Sequence, residues 1–595
     1  MSHARPFRYV ALLVFAFLLY SARVSAQVPV DPAKLPSRTL FYLMWHGMPS
    51  AEVRNNNSLF ALWNDPQFAA MRASFVDSVL TDSSKPKANS APTRQEIDQY
   101  ASLLDNAFLL GYMRQPQSHT APDASPSKAA PAPWSGFYFI YDRSGKEELL
   151  SKAVTHMRAG ETDIPKISDL TVAGVPSLKI ERKTGITYWA EFGKYAVSAS
   201  EPAVFEDALN VVNGKYSSPT LSQSLVYQEA MPLLRGGVLE FFLGMPKVDD
   251  ILANSSNPGT AQLALILSAL KLESVHSVAG RVLLDGRKTR LTGAILGDTS
   301  PGGLFDIWPE GQSSPVSMGY LQPDTIGYGE SQFNLLGIYD LLKRAFAPSS
   351  VGSPQAATPL EKMAETRLGL PLPDALGLLT GEIGWIQTSP TLDDSQKVYL
   401  LGINNKPSAL KLTHTLFTDQ ISSEHIVGDT SFLKISSPQG QSSTSSQPSS
   451  SGSASTTHSL AAPPSSHYLA FTPAVLLVSE NGDTLQPYLS HPPAGPDPAR
   501  FKNLLAARAQ LPQKLNGFSY FDLQKLDWPG LRAKWVTQAH QSSHSANSAS
   551  TAGTQNNWEN WLAQINPDVF SKYLHTMAGG SWKDAHGVHF EDWLD

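Results

Sequence analysis

Val175 to Ser200 reads VPSLKIERKTGITYWAEFGKYAVSAS. Leu178 and Ile180 alternate with polar neighbours, as do Ile186, Tyr188 and Ala190, and then Tyr195, Val197 and Ala199. A period of two marks strands with one buried face. Lys183-Thr184-Gly185 and Gly193-Lys194 supply turn residues between the runs. The stretch predicts a three-stranded antiparallel meander.

A second version lies further along the chain. Leu433-Lys434-Ile435 repeats the Leu-Lys-Ile, Tyr468-Leu469-Ala470 repeats the Tyr-x-Ala, and Val475 to Ser479 repeats the third strand. Ile180 and Tyr188 are eight positions apart, whereas Ile435 and Tyr468 are 33 apart. The extra material, Ser436 to Ser466, holds 14 serines in 31 residues and no charged side chain. Such a tract fits a hairpin tip, because loop-closure entropy grows slowly with length. It is expected to be disordered, as is a second uncharged tract, the polar loop Thr537 to Asn556.

Other elements recur in the same order. Leu35 to Tyr42, a proline-led strand entry, returns as Pro323 to Tyr328, and the strand Phe137 to Tyr141 returns as Val398 to Ile403. Gly237 to Leu243 matches Gly517 to Leu523, and Val278-Ala279-Gly280 matches Met577-Ala578-Gly579. Asp65-Pro66 and Ser200 to Pro202 open helices, and Thr93 with Glu96 forms a capping box. The expected fold class is α+β, in two tandem modules of antiparallel sheet with packed helices. The first spans residues 33–312, and the second, carrying the serine-rich insertion 436–466 and the loop 537–556, spans 315–595.

The chain has 595 residues, 42 % hydrophobic and 16 % charged, which is material for more than one folded core. Its formal charge is −6 without a dense basic block, which argues against a nucleic-acid partner. There is no cysteine, so disulfides, thiolate metal sites and a thiol nucleophile are excluded.

Arg5 and Arg8 precede an apolar run from Tyr9 to Tyr20, followed by Val24-Ser25-Ala26 before Gln27. This is the pattern of a secretory signal peptide, residues 1–26, cleaved between Ala26 and Gln27. Ala261 to Leu272 is the best later apolar segment and is too short to span a bilayer, so it reads as a buried helix. The mature chain is expected to be exported, periplasmic or extracellular, with no transmembrane span.

No residues converge on a catalytic, cofactor or metal site. Lys183-Thr184-Gly185 matches a serine β-lactamase motif, but Ser125-x-x-Lys128 lies in a Pro/Ala-rich loop and Ser431-x-x-Lys434 on a strand. His586 and His589 lack further ligands and read as a solvated hairpin. His46 reads as an isolated strand-end residue, and Asp142 and Asp285 as solvated turn carboxylates. Trp528, Trp535, Trp558 and Trp561, with Trp582 and Trp593, crowd the C-terminal region. Buried, they are core; exposed on one helix face, they would stack on a ligand such as a sugar.

Pro-Ser-Arg-Thr-Leu-Phe-Tyr (36–42), Leu-Thr-Gly-Glu-Ile-Gly (379–384) and the Tyr-x-Ala meander together resemble a bacterial exported family catalogued as a domain of unknown function. The first half, at Leu104 to Gly111, lacks the Gly-Glu pair. The resemblance implies export and an α+β fold and carries no catalytic residue. The expectation is a non-catalytic binding or scaffolding protein of the cell envelope, with an envelope protein or a glycan as partner and no cofactor. The alternatives are a secreted hydrolase that draws on distant carboxylates and a glycan-binding protein that uses the C-terminal tryptophans.

Overall fold

The computed structural model describes residues 30–80, 99, 101–114, 136–158, 166–183, 185–245, 271–312, 314–346, 359–436, 466–490, 497–545 and 566–595. The expected signal segment with Ala26 and Gln27, the loop at 115–133, the apolar segment 261–270, the interior of the serine tract, Trp558 and Trp561 lie outside them. The fold is mixed α+β with a large antiparallel sheet. Two compact units form. The first takes in Met1–Ser300, Trp528–His575 and Asp584–Asp595; the second takes in Pro301–Asp527 and Thr576–Lys583.

The first unit contains β1 (Thr39–Trp45), β2 (Phe108–Met113), β3 (Phe137–Asp142), β4 (Lys166–Val172), β5 (Val175–Arg182), β6 (Gly185–Phe192), β7 (Tyr195–Ala199), β8 (Leu239–Gly244), β9 (Val275–Asp285) and β10 (Lys288–Gly297). Its antiparallel order is β4–β5–β6–β7–β3–β2–β1–β8–β9–β10. The C-terminal strand Gly587–Leu594 pairs with β10. The expected meander is therefore β5–β6–β7, extended by β4 at the edge.

The second unit contains β11 (Gly327–Gln332), β12 (Leu379–Gln387), β13 (Lys397–Ile403), β14 (Ile421–Val427), β15 (Thr430–Ser436), β16 (Ser466–Phe471), β17 (Val475–Ser479), β18 (Gly517–Asp522) and β19 (Thr576–Asp584). Their order is β14–β15–β16–β17–β13–β12–β11–β18–β19. Strand for strand, this repeats β4 to β9 of the first unit. The register repeats as well. Tyr188 stands opposite Lys179 and Ala199, and Tyr468 opposite Lys434 and Ser479. Tyr42 stands opposite Phe242, and Tyr328 opposite Tyr520. The serine tract begins and ends on the last rung of the β15–β16 hairpin, Ser436 opposite Ser466.

Helices in the first unit are α1 (Ala51–Asn56), α2 (Ser58–Asn64), α3 (Pro66–Leu80), α4 (Glu147–Arg158), α5 (Pro202–Val212) and α6 (Leu225–Leu234). Pro202 sits in the first turn of α5, where its missing N–H costs nothing. Val204, Phe205, Ala208 and Leu209 follow at helical spacing and are buried. They lie against the sheet face carrying Tyr42, Tyr138 and Tyr188, with Phe205 5.7 Å from the Tyr188 ring. Val204, Phe205 and Leu209 each contribute about 1.5–3 kcal/mol by leaving water. A second cluster, with Trp45, Phe60, Phe108, Tyr141 and Leu150, includes residues of α2 and α4.

In the second unit the helices are α7 (Leu335–Phe346), α8 (Pro359–Leu368), α9 (Leu372–Leu376), α10 (Lys406–Leu416), α11 (Gly482–Ser490) and α12 (Lys502–Arg508). Two more, α13 (Trp528–Ser545) and α14 (Asp568–Tyr573), belong to the first unit. Helix α13 corrects the reading of 537–556 as loop, because Thr537 to Ser545 continue it. Uncharged Gln, Ala, His and Ser residues extend a helix already nucleated by the turn at Trp528. Asp142 is also corrected: it is buried, accepts from the Ser144 N–H at 3.1 Å and lies 3.5 Å from Lys194 Nζ.

Candidate ligand cavity in the first unit

Alternation along β1 puts Tyr42, Met44 and the following His46 on one face. Met44 pairs directly with Glu240 of β8, so Glu240 shares that face. The strand register thus brings together an imidazole and a carboxylate that lie far apart in sequence. His46 Nε2 is 3.0 Å from Glu240 Oε1, with 15 % and 7 % of the two side chains exposed. The approach is close but misaligned, and buried Nε2 has no hydrogen-bond partner. Sequence reasoning missed this pair because the only signal was a single His after a strand and a single Glu within another.

The pair opens onto a cavity of about 540 Å³. Met44, Tyr195, Tyr227, Met231 and Leu234 give it apolar walls, and Asp31 and Arg235 add charge of both signs. That size and a mostly apolar lining with a few polar groups are the attributes of small-molecule sites. Below it, Tyr42 and Tyr227 pack with ring centroids 6.4 Å apart. Burial, then the neighbouring Tyr227 and Glu240, pushes the Tyr42 hydroxyl far above the ordinary phenol range. The Tyr42 hydroxyl is therefore neutral behind Tyr227, which lines the cavity.

The second unit carries different side chains at the matching register positions. Glu330 stands two residues after Tyr328, as Met44 stands two after Tyr42, and faces Phe518 where Met44 faces Glu240. Arg508 of α12 donates to Glu330 at 2.5 Å, and the Tyr328 hydroxyl donates to the same carboxylate. Ser317 Oγ lies 2.9 Å from the Tyr328 hydroxyl. Burial pushes the Glu330 carboxyl up, against the opposing pull of Arg508 and Tyr328. Within this network the polar groups of Glu330, Tyr328 and Arg508 partner one another.

The C-terminal tryptophans do not form a stacking row among the described residues. Trp593 is buried, Trp582 is half-buried, and Trp528 lies on Phe570 with ring centroids 5.1 Å apart. Trp535 is exposed. His589 faces Asp584 at 3.0 Å, His586 is exposed, and no group of three His, Asp or Glu converges among the described residues. Lys183 is at the β5–β6 turn, and Ser431 and Lys434 are on β15. No helix among the described residues is long and apolar enough to cross a membrane. No protein-family model matches the chain, and neither a curated protein nor a solved structure matches it.

Proposed function

We propose that this chain is an exported binding protein of the bacterial cell envelope, built from two tandem copies of one α+β module. In this reading the first copy binds a small ligand and the second is a filled, structural copy. The duplication is supported by the shared strand order and by the matching registers at Tyr188 and Tyr468. Export is supported by the Arg5–Ala26 segment, and the resemblance to an exported bacterial family accords with both. The observation that carries the binding role is the cavity over His46 and Glu240, set against the Arg508–Glu330–Tyr328 network in the second unit.

The same pair supports a second reading, a hydrolase with His46 and Glu240 as proton-transfer groups, since both are close and face a cavity. Native mass spectrometry of the chain from Gln27 onward, incubated with a periplasmic small-molecule extract, tests the binding role. An adduct on the wild type that disappears in Met231→Trp, which blocks the cavity, supports it. No adduct on the wild type, or an adduct unaffected by Met231→Trp, overturns it. Release of a chemically altered product would favour the hydrolase.

A further inference from the structure

The opposite face of the first unit's meander forms a second concavity. Asp169 of β4 pairs with Leu178 of β5, which pairs with Trp189 of β6. One rung further, Thr171 pairs with Pro176, and Glu191 stands two residues after Trp189. Cross-strand partners and residues two apart share a face, so these six side chains form one floor. They line an open groove of about 570 Å³. Ser151 and Thr155, four apart on α4 and exposed, add two hydroxyls along its wall.

The floor is amphipathic in a specific way. Half-buried Trp189, packed on one side against the cluster with Tyr141 and Leu150, gives the groove an apolar centre together with Leu178 and Pro176. Asp169, Glu191, Thr171 and the two helix hydroxyls give acceptors at its edges. Glu191 is held in place by an ion pair with Arg143 through one oxygen. Among the described residues no basic side chain lines the groove, and Arg143 is already paired with Glu191, so the lining favours a ligand without negative charge. A wholly apolar ligand would strip water from two carboxylates without replacing its hydrogen bonds.

In the second unit the centre of this face is covered, while Glu424 and Ile426 of β14, at the positions of Asp169 and Thr171, stay exposed. There Leu469 and Phe471 take the register positions of Trp189 and Glu191, and both are buried with Leu433 in a core that includes Ala409 and Leu410 of α10. A half-buried tryptophan at the centre of this face is therefore particular to the first unit, where the second has buried Leu469.

We propose that this groove binds an uncharged saccharide, one sugar ring lying on Trp189 and its hydroxyls donating to Asp169 and Glu191. The site is distinct from the His46–Glu240 cavity and stands whether or not that cavity holds a ligand. Isothermal titration of the chain with chitotriose, cellotriose and maltotriose tests it, with trigalacturonate as the anionic counterpart. Binding of at least one neutral trisaccharide is expected, weakened about tenfold or more by Trp189→Ala, the scale of one aromatic stacking contact. Trp189→Phe, which keeps an aromatic face and the fold, should stay within a few-fold of wild type, and Asp169→Asn should weaken binding. Failure of all three neutral sugars to bind at about 10 mM, tighter binding of trigalacturonate, or equal affinity of folded Trp189→Ala overturns the proposal.

Discussion

His46 Nε2 lies 3.0 Å from Glu240 Oε1 at the base of a cavity, although one residue follows β1 and the other sits within β8. Glu240→Ala removes a buried carboxylate and leaves the imidazole without its neighbour. The expected loss is about 0.5–3 kcal/mol, the range for removing one buried side chain, since the misaligned contact is not a hydrogen bond. Because the residues touch, His46→Ala should cost less in the Glu240→Ala background than in the wild type. Urea titration of the four proteins measures this coupling; strict additivity would mean that the two groups do not interact.

Arg508 and Glu330 form the buried pair of the second unit, with 12 % and 6 % of their side chains exposed. Arg508→Met leaves the Glu330 carboxylate uncompensated and should destabilise by about 3–5 kcal/mol. Replacing both, Arg508→Met with Glu330→Leu, should recover most of that loss, because no charge is then left buried. Thermal unfolding of the single and double variants decides the matter. A double variant no more stable than Arg508→Met alone would show that the pair does more than neutralise itself.

Gly381 explains part of the Leu-Thr-Gly-Glu-Ile-Gly segment. Its φ is +85°, and a Cβ there would sit 1.9 Å from the Phe333 carbonyl oxygen. The register of β12 slips between Leu379 and Ile383, and Glu382 turns back to accept from the Ser317 N–H at 2.7 Å. Gly381→Ala should therefore lower stability by about 1–3 kcal/mol through backbone strain alone, with further loss from the carbonyl clash. Gly377→Ala, in an ordinary helical conformation with nothing closer than 3.4 Å, is the comparison. Equal midpoints for the two variants in denaturant titration would refute this account.

Asp65 anchors the C-terminal helix α14 and caps α3 at once. It accepts from the Gln67 N–H at 2.9 Å, from Lys572 at 3.0 Å and from the Tyr573 hydroxyl at 2.9 Å. Burial opposes ionisation, but Lys572, the Gln67 N–H and Tyr573 together hold its carboxyl below the usual aspartate range. A group depressed in the folded state stabilises above its unfolded value, near pH 4, and loses that contribution as the pH falls through the folded value. The gap in unfolding free energy between wild type and Asp65→Asn should be widest near pH 7 and shrink in acid. A gap that stays constant down to about pH 2 would assign the effect to packing instead.

The alternating pattern from Val175 to Ser200 was enough to place β5, β6 and β7, because period two survives wherever one strand face is buried. The same logic located the β15–β16 hairpin on either side of the serine tract and matched Val278-Ala279-Gly280 with Met577-Ala578-Gly579, which pair in equivalent registers with Phe242 and Tyr520. Local patterning also marked the α5 start at Pro202. It misread Thr537 to Ser545, where composition suggested a loop and a neighbouring helix extended, Asp142, whose burial comes from strands distant in sequence, and the match of Gly237–Leu243 to Gly517–Leu523, which is two residues out because Tyr520 takes the register place of Phe242 and not of Glu240.

The sequence by itself determined the mixed α+β class and the strands on either side of the inserted tract, since these depend on neighbours a few residues apart. Only the tertiary structure decided that His46 meets Glu240, that Trp189 floors an open groove while Leu469 is buried, and that the C-terminal tryptophans form no row among the described residues. Those outcomes depend on which strands lie side by side and on what volume is left between a sheet and its helices, and neither is written in any local stretch of chain.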